Sequence, residues 1–217
     1  MIRTQTGEAT AFKGLILDFA GVLTEPVGQA QRSWCLEQGL TESAWANALE
    51  DHPEGRDLYK ALESGRMTQT EWNRRTAALL GLTEHHNLMG RVWHDVRPAT
   101  KMIALARAAR RDGYATALLS NSFGLDPYDP YQELGVWDLF DVTVISEHVG
   151  VAKPDPVIYQ ITLDRLGLPG PTCVFADDRH ENLIPAAALG IATVHADGQD
   201  TTVAHLARLL NLPPDPA

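Results

Sequence analysis

Residues 14–19 read Gly-Leu-Ile-Leu-Asp-Phe, a continuous apolar run that ends in a carboxylate. A run without polar alternation predicts a strand buried on both faces, as in a parallel sheet. Similar runs recur at 115–119, 141–145, 172–176 and 191–195. Helical patterns lie between them. Residues 99–112 place Met102, Ile103, Leu105, Ala106 and Ala109 at helical spacing and close at Gly113. Residues 156–166 do the same before Gly167, and 181–189 end at Gly190. Strands alternating with helices predict an α/β fold, a Rossmann-like parallel sheet sandwiched by helices.

Residues 24–97 break this alternation. They hold no β-rich run and carry Trp34, Trp45, Trp72 and Trp93. Short helical patterns there predict a small helical bundle inserted after the first strand. The chain then divides into a core of residues 1–23 and 98–217 and an insert of residues 24–97. The tail Pro213–Ala217 is expected to fray.

The 217 residues carry a formal charge of −10, with 44% hydrophobic and 21% charged residues. This balance belongs to a folded chain with a sizeable core. The acidic excess sets aside a nucleic-acid binder working through a broad basic face. Cys35 and Cys173 cannot build a disulfide framework and suit a reducing compartment. Met1–Thr10 is polar and contains Glu8, unlike a signal peptide. The longest largely apolar stretch, 183–196, is too short to cross a bilayer and contains Pro185 and His195. The expectation is a cytoplasmic monomer or homodimer with neither membrane nor nucleic acid as partner.

Ligands of parallel α/β sheets bind at the carboxyl ends of the strands. The polar residues there are Asp18, Ser120 with Asn121, Lys153 and the pair Asp177-Asp178. A single strand-end carboxylate is often a helix cap. Two carboxylate sites, a hydroxyl and a lysine at four strand ends form an inventory for handling phosphate with a divalent metal. A carboxylate attacking a phosphoryl dianion meets charge repulsion, which a hard cation such as Mg²⁺ relieves. Lysine adds a second positive charge, and a hydroxyl holds phosphate oxygens. Attack by Asp18 gives an aspartyl-phosphate that water hydrolyses.

In this order the motifs Asp18-Phe-Ala-Gly-Val-Leu23, Ser120-Asn121-Ser122, Lys153-Pro-Asp-Pro156 and Phe175-Ala-Asp-Asp-Arg-His-Glu-Asn182 resemble the haloacid dehalogenase-like hydrolase superfamily over nearly the whole chain. The resemblance implies a Rossmann-like core with a mobile cap, here residues 24–97 as the helical cap class. It implies Asp18 as nucleophile and metal ligand, Lys153 as the charge steadying it, and Ser120 and Asn121 as binders of the transferring group. Asp178 is the implied metal ligand, helped by Asp177, with Asn182 supporting the loop. The implied cofactor is Mg²⁺ and the implied substrate a small phosphorylated metabolite.

Position 20 departs from the pattern. Phosphatases of the family usually carry a second Asp there, which protonates the leaving oxygen and then activates water. Ala20 keeps only the backbone carbonyl that the family offers its metal. Loss of a general acid–base group typically costs about 10²–10⁴-fold in rate. The leading reading is a phosphatase favouring good leaving groups or recruiting another acid, with Glu25, His148 and His180 as candidates and Glu147 beside His148. The alternatives are a catalytically weak binding or regulatory protein, a 2-haloacid dehalogenase, and a phosphonate-cleaving hydrolase using Lys60 as a Schiff base. Arg66, in Glu-Ser-Gly-Arg-Met-Thr, either faces the site and reads substrate or is a loop cation. The tryptophans of the insert read as bundle core, His85-His86 as a solvated loop, and Cys173 as an inert strand residue.

Overall fold

The computed structural model describes residues 12–213; Met1–Thr10 and the tail beyond Pro213 lie outside the described residues. Gly14–Leu17 forms β1, the middle of five strands ordered β3-β2-β1-β4-β5. Its neighbours are β2 (Ala115–Ser120) and β4 (Cys173–Asp177), with β3 (Val142–Ile145) and β5 (Ala192–His195) at the edges. All four pairings are parallel.

The unbroken apolar run of β1 follows from this position. Leu15 and Leu17 face one core with Leu105, Ala106 and Ala109 of α6 (Thr100–Arg111) and Leu206 of α11 (Gln199–Leu209). Ile16 faces the other with Ile158 and Leu163 of α9 (Pro156–Leu166) and Ala186 of α10 (His180–Ala188). Successive side chains point to opposite faces, and helices cover both. The edge strand β3 is only half covered at Val142 and Thr143.

The strand bounds differ from the sequence reading by one or two residues, most consequentially at β4. β4 starts and ends one residue later than expected. Thr172 closes a 3₁₀ turn, and Asp177 pairs in register with His195 of β5. Helix α11 was not among the expected helices, although Thr202, Val203, Leu206 and Ala207 face inward at helical spacing. Among the described residues no helix is long and apolar enough to cross a membrane.

Between Thr24 and Pro98 the chain forms α1 (Val27–Glu37), α2 (Ala44–Ala46) running into a π turn (Asn47–Asp51), α3 (Pro53–Glu63), α4 (Gln69–Leu79) and α5 (Leu88–Trp93). Trp34, Trp45, Trp72 and Tyr59 interlock edge to face with centroids 5.7–5.9 Å apart, an arrangement aromatic quadrupoles favour. Trp93 instead stacks on Phe19 at 5.7 Å and meets Phe123 at 4.8 Å, so this tryptophan joins the insert to the sheet. Gln69 adds a polar tie, donating to the carbonyls of Phe123 and Tyr128 and accepting from the Tyr128 amide. Where the chain leaves and rejoins the sheet, Thr24 and Pro98 form an antiparallel bridge, with Glu25 N–H on Arg97 O and Ala99 N–H on Leu23 O.

Candidate active site

Parallel strands end on one side of the sheet, so residues remote in sequence meet there. Asp18 follows β1, Ser120 ends β2, Lys153 lies between β3 and α9, and Asp177 ends β4. A cavity of about 580 Å³ opens over these ends, lined by Asp18, Ala20, Ser120, Asn121, Lys153 and Asp178 from this side. From the insert it is lined by Val27, Trp45 and Leu49 and by the charged residues Glu50, Arg56, Lys60 and Glu63.

Lys153 is the centre of the arrangement. Its side chain is 1% exposed, and Nζ lies 2.7 Å from Asp18 Oδ1 and 2.6 Å from Asp177 Oδ2. Asn121 clamps the lysine's backbone on both sides, Oδ1 accepting from Lys153 N–H and Nδ2 donating to Lys153 O. The Asn121 amide is thereby engaged with the lysine loop, a job the sequence did not indicate.

Asp177 and Asp178 are neighbours with opposite surroundings. Asp177 is fully buried and both its oxygens are taken. Oδ1 accepts from Arg179 N–H and Asn182 Nδ2, and Oδ2 from Lys153 Nζ and Asn182 Nδ2. Asn182 in turn accepts from Tyr159 OH through its carbonyl, which fixes the loop. Asp178 is exposed, and its carboxylate sits against Gly21. One oxygen each from Asp18, Asp177 and Asp178 lies within 4.8 Å of the others, a donor set a hard cation fits. Burial raises Asp18 to about 8 against the opposing pull of Lys153, and Asp177 adds to the rise. Burial and Asp177 also raise Asp178. Three carboxylates share one ammonium, so the site carries excess negative charge that a divalent cation would balance.

The turn after Asp18 is tight. The amides of Val22, Leu23 and Thr24 converge on Phe19 O, and Thr24 Oγ1 accepts from Gly21 N–H. Gly21 adopts φ +75°, and a Cβ there would lie 2.5 Å from Asp178 Oδ2. Gly21→Ala therefore combines backbone strain of about 1–2 kcal/mol with displacement of Asp178. A drop in melting temperature, read by a thermal melt, is the expected result.

Ser120 Oγ donates to Asn121 O and accepts from Tyr131 OH at 2.9 Å. Tyr131 is fully buried with its ring 4.4 Å from Phe19. Asp129 sets it in place by capping the short helix α7 (Pro130–Glu133), accepting from the Tyr131 and Gln132 amides. Sequence reasoning missed Tyr131; the only signal was the Asp-Pro start of that helix. Tyr131→Phe leaves Ser120 Oγ without this donor. It should cost about 1 kcal/mol, a melting shift of roughly 2–4 °C, with a smaller loss of phosphate affinity than Ser120→Ala.

The remaining candidates scatter. Arg66 is exposed, donates from Nε to Ser64 Oγ, and lines an adjoining cavity of about 390 Å³ that shares Glu63, Asn121, Lys153 and Arg179 with the first. Glu25, His148 and His180 do not line the cavity over Asp18, and Glu147 accepts from Ser122 Oγ. His85 and His86 are exposed in a loop where the His86 amide donates to Glu84. Burial pushes the Cys173 thiol up, away from reactivity. Glu63, Arg56 and Arg179 line the cavity without having been singled out from sequence.

Residues 12–190 match the family described as haloacid dehalogenase-like hydrolases. The sesquiterpene phosphatase astK of Aspergillus oryzae is 30% identical over 115 residues, 53% of this chain and 59% of its own length. Acyl-CoA dehydrogenase family member 10 of Mus musculus is 41% identical over 104 residues, 48% of this chain and 10% of its own. The chain thus spans less than two thirds of these curated relatives. A haloacid dehalogenase family enzyme of Bacteroides thetaiotaomicron, solved as a magnesium complex, superposes with TM-score 0.65 at 23% identity, covering 91% of this chain and 99% of that one. The chain belongs to the haloacid dehalogenase-like hydrolases.

Proposed function

We propose that the protein is a Mg²⁺-dependent phosphatase acting on a small phosphorylated metabolite, with Asp18 as nucleophile. The observation that carries this reading is the buried Lys153 bridging Asp18 and Asp177 while Asp178 keeps its carboxylate toward the cavity. Asp18, Asp178 and the Ala20 carbonyl would hold the cation, with Asp177 acting through Lys153. When bound, Mg²⁺ supplies positive charge to the phosphoryl oxygens and to the attacking carboxylate. A 2-haloacid dehalogenase has no need of such a cation, and the open carboxylate of Asp178 would then have no role.

Lys153 Nζ steadies the ionised carboxylate of Asp18 and faces the incoming phosphate. Ser120 Oγ turns from Asn121 O to a phosphate oxygen. Asp18 attacks phosphorus, the ester oxygen leaves with its electron pair, and water cleaves the resulting aspartyl-phosphate. Residues 24–97 serve as the cap over a core of residues 1–23 and 98–217. Val27, Trp45, Leu49 and Phe123 offer the organic part of the substrate an apolar wall, and Arg56, Lys60 and Arg179 offer it cations. The test is hydrolysis of an aryl phosphate by the purified chain with Mg²⁺ and with chelator. Turnover no faster than that of Asp18→Asn, across several divalent ions, would sink the reading.

A further inference from the structure

Ala20 lines the cavity beside Asp18 and brings no group that moves a proton. Either the leaving oxygen departs unprotonated or another side chain serves it. Glu63 is placed for this. It ends α3 and lines both the cavity over Asp18 and the side cavity that holds Arg66.

The residue is held in register with the sheet. Ser146 Oγ, at the end of β3, donates to Glu63 O. Two residues on, Gly65 takes φ +67°, and a Cβ there would meet the backbone of Glu147 at 3.0–3.2 Å. Backbone lies directly on backbone, and a side chain at position 65 would lift the loop. The Asn121 amide after β2 and the charges of Arg179 after β4, Lys153 before α9 and Lys60 on its own helix act on the Glu63 carboxyl.

We propose that Glu63, from the helical insert, is the general acid and base that position 20 lacks. This rests on the phosphatase reading above. In the first step Asp18 Oδ forms the bond to phosphorus as the P–O bond to the alcohol breaks. Glu63 COOH gives its proton to that departing oxygen. In the second step Glu63 carboxylate takes a proton from water, and the water oxygen bonds to phosphorus. The P–O bond to Asp18 breaks with its electron pair returning to the carboxylate. Glu63 ends protonated, inorganic phosphate is released, and the cycle is closed. Burial holds the Glu63 carboxyl above its usual range, with the Asn121 amide and the three cations opposing, so the protonated form extends towards neutral pH.

Glu63→Gln separates the two steps. With an aryl phosphate, whose leaving group needs no proton, the variant should release about one equivalent of phenol in a burst and then turn over about 10²-fold slower or less. With an alkyl phosphate both steps suffer, and turnover should fall further, by about 10²–10⁴-fold. The part of the acid limb of the wild-type pH profile set by Glu63 as base of the second step should vanish, leaving the part set by ionisation of Asp18. Ala20→Asp placed on top of Glu63→Gln should restore turnover. A merely structural role would predict neither the burst nor the rescue. If Glu63→Gln does not fold, Glu63→Asp carries the test. It keeps a titrating group one methylene short and should lower alkyl turnover while retaining the acid limb. Wild-type turnover with an unchanged aryl-to-alkyl ratio in Glu63→Gln overturns the inference alone. A wild-type chain with no phosphate turnover overturns the phosphatase reading and this inference with it.

Discussion

Asp18→Asn should lower hydrolysis of an aryl phosphate by about 10⁴-fold or more, the scale seen when a catalytic unit loses its nucleophile or an equally essential member. The amide is nearly isosteric but cannot form the acyl-phosphate, so loss of rate and retention of fold are separable. Lys153 keeps its second partner, Asp177, at 2.6 Å, and Asp177 keeps Asn182 and the Arg179 amide. The melting temperature should therefore move by no more than a few degrees. Steady-state kinetics and a thermal melt on the same preparation check both halves. Rapid acid quench of the wild type with substrate should show phosphate on Asp18, absent from the variant. Turnover surviving in Asp18→Asn would place the chemistry elsewhere.

Lys153→Met should produce the largest loss of stability. It removes an ammonium that touches two buried carboxylates, Asp18 and Asp177. Breaking a buried ion pair by deleting one partner costs about 3–5 kcal/mol, because the charge left behind is uncompensated. For a chain of this length that is a fall of roughly 6–20 °C in melting temperature. Burial works against the charged lysine, but Asp18 and Asp177 outweigh it and hold its pKa above the ordinary value. A raised lysine contributes fully below its unfolded pKa and loses its contribution only as pH climbs through the folded one. The lysine's own share of the deficit should thus hold through neutral pH and narrow only under strongly alkaline conditions, while the share owed to Asp18 should change as that carboxyl titrates at about 8. Melts in chelator from neutral to alkaline pH test this, and a wild-type melting temperature in Lys153→Met contradicts it. Added Mg²⁺ should return part of the lost stability by supplying charge beside Asp18.

What could be read from sequence and what could not divide along physical lines. Leu15-Ile16-Leu17 announces a central strand because burial on both faces leaves its mark on every residue. Parallel strands place their ends together, so Asp18, Ser120, Lys153 and Asp178 could be gathered by chain order alone. The separate duties of Asp177 and Asp178 could not. One peptide unit of strand decides which carboxylate turns into the sheet and which faces the cavity, and the strand's end was misplaced by one residue. Glu63 and Tyr131 were invisible for a different reason. Each is placed by a contact with a residue remote in sequence, Tyr131 with Phe19 and Glu63 with Ser146, and no local pattern encodes such a meeting. Arg66 stays open in the sequence between a substrate reader and a loop cation, and the structure places it on a side cavity that Asn121 and Lys153 also line.

The bridge between Thr24 and Pro98 has a consequence for how such a chain can change. Departure and return occur side by side, so the sheet sees the 73 intervening residues as one short closed loop. Insertions and deletions there leave the register of β1 with β2 and β4 untouched. A lineage can then trade the insert for another of different size or chemistry while inheriting Asp18 and Lys153 intact. Position 20 lies on the inherited side of that seam and Glu63 on the tradable side. On the reading proposed for Glu63, a proton donor absent from one can be supplied by the other, which makes the chemistry itself, and not only the choice of substrate, open to exchange.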